Sequence, residues 1–251
     1  MDYSFQLYSA RNFLPWDAVL ERVAELGYKQ LEGFGGVYEN PEQFRAKMDK
    51  LGLTMPTGHF SLDALENNFD LVSDQVDKLG VQKIYCPYLA EDERPTDSAG
   101  WKNFAQRLAA VGAKAKGKGH GFGWHNHHFE FETLADGGIP QAILLDEAPD
   151  IEWEADIAWI LRGGGDPLDW IERYGARITS VHVKDIAPSG QCEDEEGWAD
   201  VGHGIVAWKN IMRALKQHSN TVYYVMEHDN PSNYERFAQR SIETMRKLEE
   251  V

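Results

Sequence analysis

Five of the nine histidines fall in three short stretches: His125-Asn126-His127-His128, then His182, then His228. Carboxylates stand close by. Glu130 follows the first stretch, Asp185 follows the second after Lys184, and Glu227 and Asp229 flank the third. Glu154 and Asp156 bracket Ala155, while Glu32 and His59 stand alone earlier in the chain. Imidazole and carboxylate together suit manganese, cobalt, iron or zinc, and clustered histidines suit acid–base work near neutral pH. Each residue also has a plainer reading. A lone histidine more often caps a loop or packs against a helix. Asp156 can cap the next segment, Glu154 can pair with a lysine, Lys184-Asp185 can be a surface ion pair, and Asp229 reads as a turn residue. Trp16, Trp124 and Trp159 read as packing, with Trp159 also a candidate sugar platform. The chemical reading wins only if the chain gathers these stretches, because converging ionisable groups are costly to desolvate unless paired or bound to metal.

The elements that must position them are legible in a repeat. An amphipathic helix ends in Leu-Gly and a short apolar strand follows, at Leu26-Gly27 before 28–32, Leu51-Gly52 before 53–56, and Leu79-Gly80 before 81–85. Glycine just past a helix supplies the left-handed C-cap conformation, and its recurrence here matches about one βα unit. The alternation continues. Phe104, Leu108, Val111 and Ala115 mark a helix over 101–116, and strands are expected at 121–126, 151–157, 178–183 and 221–226. Helices are expected around 141–145, from Asp166-Pro167, where proline suits the first turn, over 207–217, and over about 234–249. A strand over 4–8 starts the series. Eight strands alternating with eight helices imply an α/β chain with a parallel sheet covered by helices, here a single-domain (β/α)8 barrel over 1–251, the usual size for one. No glycine-rich phosphate-binding signature follows the first strand, which weighs against a dinucleotide fold. In such a barrel chemistry sits where strands end. Glu32, His59, His125 to Glu130, Glu154 to Asp156, His182 to Asp185 and Glu227 to Asp229 all fall at those positions.

Composition narrows the partners. The net charge is −16 with no Lys/Arg run, and a polyphosphate partner needs a basic footprint. Nucleic acid and anionic membrane surfaces are therefore not expected. Cys86 and Cys192 fit neither a disulfide framework nor a zinc knuckle. No apolar stretch approaches a membrane span, and the start lacks the charged and apolar regions of a signal peptide. A cytoplasmic location is expected.

Five stretches resemble the xylose isomerase-like TIM barrel superfamily of sugar isomerases and epimerases, the inosose dehydratase-like branch in particular. They are Gln6-Leu7-Tyr8-Ser9-Ala10-Arg11, Gly123 to Phe131, Glu154 to Trp159, His182-Val183-Lys184-Asp185 and Glu227-His228-Asp229. The resemblance spans the chain in order. It implies one divalent metal, manganese foremost with Co, Mg, Fe or Zn as alternatives, held by His125, Asp156, His182 and Glu227. Most relatives place glutamate at the strand 5 position, where this chain reads His125-Asn126-His127, so Asn126 and His127 are other occupants of that ligand place. One of the two carboxylates that many relatives use as a matched acid and base is therefore missing.

The expected reaction is isomerisation or epimerisation of a small keto sugar or sugar derivative through an enediolate, with the metal as Lewis acid. Glu227 is the first choice of proton acceptor. His127 or Glu154 would deliver a proton, and Lys184 would steady negative charge. His59, Glu32, Asn126, Glu130 and Trp159 are expected at the substrate. The alternatives are a lyase or dehydratase of a keto-cyclitol or keto sugar, including a C-glycoside-cleaving subunit, and a non-catalytic sugar-binding barrel. Apurinic-site endonuclease activity, found on the same barrel, is disfavoured by the acidic charge. The expected partner is a small carbohydrate, with a homo-oligomer or a small partner subunit also possible for barrels of this group.

Overall fold

A computed structural model describes residues 1–249. Eight parallel strands close into one barrel. In chain order they are Ser4–Gln6, Gln30–Gly33, Thr54–His59, Lys83–Cys86, Gly121–His125, Glu152–Asp156, Ile178–Val183 and Tyr223–Met226. Each pairs with its chain neighbours, and the last pairs with the first. The outer layer holds the expected helices, from Trp16–Glu25 to Tyr234–Glu249. Gly52 and Gly80 cap their helices in the left-handed conformation, at φ 66° and 80°. This confirms the single (β/α)8 barrel.

Apolar and polar residues alternate along the strands as the pleat requires. Phe5, Leu31, Ile84, Phe122, Trp124, Trp153, Val181, Tyr224 and Met226 are buried in the apolar core. Between them stand buried Ser4, Gln6, Glu32, His125, Glu154, Asp156, Ser180 and His182. The apolar set joins sheet to helices, and the intervening set faces the barrel's centre and mouth.

Where the structure departs from expectation, a side chain ends the element. The first strand stops at Gln6, because the Gln6 side chain accepts from Tyr8 N and turns the chain into a short 3-10 helix, Leu7–Ala10. The sixth strand stops at Asp156, whose carboxylate caps a helix not expected, Ile157–Arg162, by accepting from Trp159 N at 2.9 Å. Another unexpected short helix, Leu62–Asn67, is capped by Ser61. The eighth strand begins only at Tyr223, since Ser219 and Thr221 bond each other in a turn. Asp185 is no surface ion-pair partner. It is buried and accepts from the N–H groups of Ile186, Gly202 and Val206 at 2.8–3.0 Å, folding the long loop after the seventh strand. That loop includes an antiparallel pairing of Asp185–Ile186 with Trp198–Ala199.

Candidate metal centre and active site

Register brings the stretches together. His125 lies level with Glu154 on the next strand, and Asp156 level with His182 on the one after. Residues at matching height on neighbouring strands of a closed barrel converge at its mouth. One donor atom from each of His125, Asp156, His182 and Glu227 lies within 4.8 Å of the others, and all four residues are buried. His59, His125, Glu154 and His182 form a second set within the same limit.

His182 joins the two sets. Its Nδ1 is 2.8 Å from Glu227 Oε2 and 3.9 Å from Asp156 Oδ2. Its Nε2 is 2.6 Å from Glu32 Oε1 and 3.3 Å from Glu154 Oε2. His59 lies on the far side of those glutamates, its Nε2 2.6 Å from Glu154 Oε2 and 3.2 Å from Glu32 Oε1. Gln6 Nε2 donates to Glu32 Oε1 at 2.8 Å and fixes that carboxylate. Glu32 is thus an acceptor that orients the His182 ring, the kind of partner that fixes the tautomer of a metal-binding histidine.

The electrostatics follow from this crowding. Burial opposes charge on His182, but Glu227, Glu154 and Glu32 overcome it and raise its pKa well above the ordinary value. Burial and then repulsion from His182 push His125 down to about 3, which leaves it a neutral imidazole with a lone pair to offer. Burial lifts Asp156 to about 6 against the pull of Lys184 and His182. Burial also works to raise Glu227, yet Lys184 and His182 hold its carboxyl well below the usual range. Lys184 is fully buried, with Nζ 2.5 Å from Asp229, 3.2 Å from Glu227 and 3.6 Å from Asp156.

The donor set fits a divalent cation. Two imidazoles and two carboxylates match the ligand preference of manganese, cobalt, iron or zinc. Asp156 Oδ2 and His125 Nδ1 are buried without a hydrogen-bond partner, an arrangement that is costly unless something else satisfies them.

The model of the family described as xylose isomerase-like TIM barrel matches residues 20–248. The chain belongs to the xylose isomerase-like TIM barrel family. A sugar phosphate isomerase/epimerase from Parabacteroides distasonis superposes with a TM-score of 0.82 at 20% identity, over 97% of this chain and 93% of that one. A probable 3-DHS dehydratase, AsbF from Bacillus anthracis, gives 0.79 at 14% over 98% and 99%. The IolI protein, solved with a bound zinc atom, gives 0.78 at 14% over 99% and 96%. No curated protein matches the sequence.

In this xylose isomerase-like barrel the cluster opens on a cavity of about 770 Å³. Of the residues expected at the site, His59, His125, His127, Trp159 and Glu227 line it. Asp156, His182, Glu154, Glu32 and Lys184 are fully buried around the cluster. Asn126 and Glu130, expected at the substrate, are built into the wall. Asn126 Oδ1 accepts from Trp153 Nε1 and Asp156 N, which ties the fifth strand to the sixth. Glu130 accepts from Trp124 Nε1 and from His127 N, and burial pushes its pKa up to about 8 against those two donors. These bonds consume the polar atoms that a substrate would need, so both residues position their neighbours.

Two residues of the site escaped sequence reading. In the sequence Gln6 stands out only within a stretch that resembles the family, and Asp229 has the character of a turn residue. Asp229 lines the cavity and holds Lys184. The signal was its place two residues after Glu227. The apolar side of the cavity, from Tyr8 to Tyr88, also went unread.

Proposed function

We propose that the protein is a metal-dependent isomerase or epimerase of a small keto sugar or sugar derivative. The observation that carries this reading is the meeting of His125, Asp156, His182 and Glu227 within 4.8 Å at the floor of an open cavity. A divalent ion bound there would supply Lewis acidity for charge developing on a substrate oxygen as a neighbouring C–H proton leaves. Glu227, ionised and facing the cavity, accepts that proton. His127 also faces the cavity, and burial drives its pKa well down, so it stands neutral beside the substrate. It relays a proton between substrate oxygens. His59, which burial disfavours as a cation but Glu32 and Glu154 favour, donates to a hydroxyl. Lys184 keeps Asp156, Glu227 and Asp229 from repelling one another.

A dehydratase is the second reading. It is favoured by the histidine at the fifth-strand position, which leaves Glu227 without a matched carboxylate opposite. A single carboxylate suits that reaction: Glu227 takes the proton from carbon and returns it to the β-hydroxyl, which leaves as water as the C–O bond breaks and the C=C bond forms. The structural likeness to the probable dehydratase of B. anthracis fits either reading.

The test separates binding, proton abstraction and outcome. Protein purified without chelator is expected to carry about one equivalent of divalent metal per chain, as a single four-ligand site implies. Incubated with ketoses in D2O, it incorporates deuterium at carbon, and NMR of the products distinguishes isomer, epimer and dehydrated sugar. Glu227→Gln lowers exchange by about 10²–10⁴-fold with an unchanged circular dichroism spectrum. Metal-loaded protein that exchanges no carbon-bound hydrogen in any ketose, or full exchange in Glu227→Gln, sinks the mechanism.

A further inference from the structure

Glu32 and Glu154 take no direct part in the proposed reaction, yet both are fully buried. Glu154 stands two residues before Asp156 on the sixth strand, so its side chain lies on the same face, one layer deeper in the barrel. Glu32 comes from the second strand, opposite the sixth in the ring of strands. Each carboxylate keeps one oxygen, Glu32 Oε2 and Glu154 Oε1, buried without a hydrogen-bond partner. Buried charges are paired or coordinate metals, because an isolated ion is costly to take out of water.

The other oxygens of these two residues form a ring with two imidazoles. His59 Nε2 is 2.6 Å from Glu154 Oε2, which is 3.3 Å from His182 Nε2. That nitrogen is 2.6 Å from Glu32 Oε1, which closes the ring at 3.2 Å from His59 Nε2. Nitrogen and oxygen alternate around it. A flat ring with such sides has its centre about 2.1 Å from each corner, the length of a bond from zinc to an imidazole nitrogen or a carboxylate oxygen. His125 Nδ1, unpartnered and 3.3 Å from Glu154 Oε2, stands at the edge of the ring.

Charge points the same way. Glu32, Glu154, Asp156, Glu227 and Asp229 surround the two donor sets. Among the described residues, Lys184 is the only lysine or arginine in contact with their carboxylates. With neutral imidazoles, one divalent ion in the first set leaves two negative charges without a counter-charge. A second divalent ion cancels them.

We propose that Glu32, His59, Glu154 and His182 hold a second divalent cation beneath the first, with the His182 ring bridging the two ions through Nε2 and Nδ1. The inference rests on the reading of His125, Asp156, His182 and Glu227 as the first metal set. Two imidazoles and two carboxylates suit zinc, cobalt, iron or manganese. The second ion takes the place of the protons shared along the two 2.6 Å contacts. Those protons pass to the buffer as it binds, since metal ligands must be deprotonated. It therefore fills after the first, from metal in excess, and the protein as purified carries one equivalent. Of its ligands only His59 lines the cavity, so the second ion balances charge and fixes His182 and does not touch the substrate.

Chelator-treated protein dialysed to equilibrium against excess zinc is expected to bind two equivalents per chain by elemental analysis. Glu32→Gln and His59→Gln keep the first equivalent and lose the second, with unchanged circular dichroism spectra. Anomalous scattering at the zinc edge, from zinc-soaked crystals of the unsubstituted protein, places the second ion among Glu32, His59, Glu154 and His182 whether or not the variants fold. Saturation at one equivalent overturns the proposal and leaves the isomerase reading standing. So does a second equivalent that both variants retain, or an anomalous peak away from these four residues. Two ions in place without deuterium exchange in any ketose leave the second site standing and remove the isomerase reading.

Discussion

The two halves of the barrel mouth are built from different chemistry. Strands five to eight contribute His125, Asp156, His182, Lys184 and Glu227, gathered by register and almost wholly buried. Strands one to four contribute Glu32 and His59 from their ends, and above them a wall of aromatic side chains from loops and 3-10 turns with Leu71 from the helix Phe69–Leu79. The polar half is held by strand geometry, where a small shift misplaces every donor. The apolar half is held by ring packing, which tolerates changes of guest. A barrel whose loops vary while its strand ends stay fixed can change substrate without rebuilding its reactive centre.

The sharpest way to break the comparison is to remove the cation that lets the polar half stay buried. Lys184 is fully buried among Asp156, Glu227 and Asp229. Its attraction to these carboxylates outweighs the penalty that burial imposes on its own charge, and its pKa is raised. Lys184→Met is expected to destabilise the chelator-treated protein by about 3–5 kcal/mol, the usual consequence of leaving buried charges uncompensated. Urea titration against the unsubstituted protein measures it. A change below about 1 kcal/mol would mean that the carboxylates take up protons in place of the lysine, and that the polar half is less ionic than its distances imply.

The halves also differ in how far the sequence disclosed them. Strand ends carry chemistry in a barrel, so alternation places the stretches His125 to Glu130, Glu154 to Asp156, His182 to Asp185 and Glu227 to Asp229 at the mouth, and the expected seventh strand, 178–183, matches Ile178–Val183. The choice of His125, Asp156, His182 and Glu227 within them comes from the family resemblance, which leaves Asn126 and His127 open beside His125. Roles were harder than places. Nothing local distinguishes Asn126, whose amide bonds the sixth strand, from His127 beside it, which faces the cavity. That depends on which way the chain turns after His125. The apolar wall was hidden for a different reason. Tyr8, Phe34 and Tyr38 belong to or adjoin short 3-10 segments with no period to read, and Leu71 lies on an amphipathic helix where an apolar residue reads as core. Only the folded chain shows it turned outward.

A middle-sized effect concerns the support of the polar half. Glu195, on the long loop after the seventh strand, accepts from Ser232 N and from Arg236 Nη2, each at 2.8 Å. Burial raises its pKa, but Ser232 and Arg236 more than offset this and hold it at about 2, below the ordinary 4.5. A carboxyl depressed by folding stabilises fully above its unfolded value and loses that contribution as pH falls through the folded value. The stability difference between the unsubstituted protein and Glu195→Gln is therefore expected to hold steady from neutrality to about pH 4.5 and to shrink as pH falls toward about 2. A difference that stays constant over that acid range would show the loop to be anchored without this charge.

The smallest expected effect tests the other half. Leu71 is 58% exposed, whereas its helix neighbours Val72 and Val76 are 1% and 0% exposed. If Leu71 stands at the cavity for a guest and contributes nothing to packing, Leu71→Ser changes stability by less than about 0.5 kcal/mol, the range of ordinary surface substitutions. Thermal unfolding measures it without any ligand. A loss above about 1 kcal/mol would make the wall an extension of the core, and the contrast between a rigid reactive half and an adaptable recognition half would fail at the residue that displays it most openly. A neutral result isolates the wall as surface kept apolar at no gain to folding, since water alone gives a leucine no reason to stand there beside a row of aromatic rings.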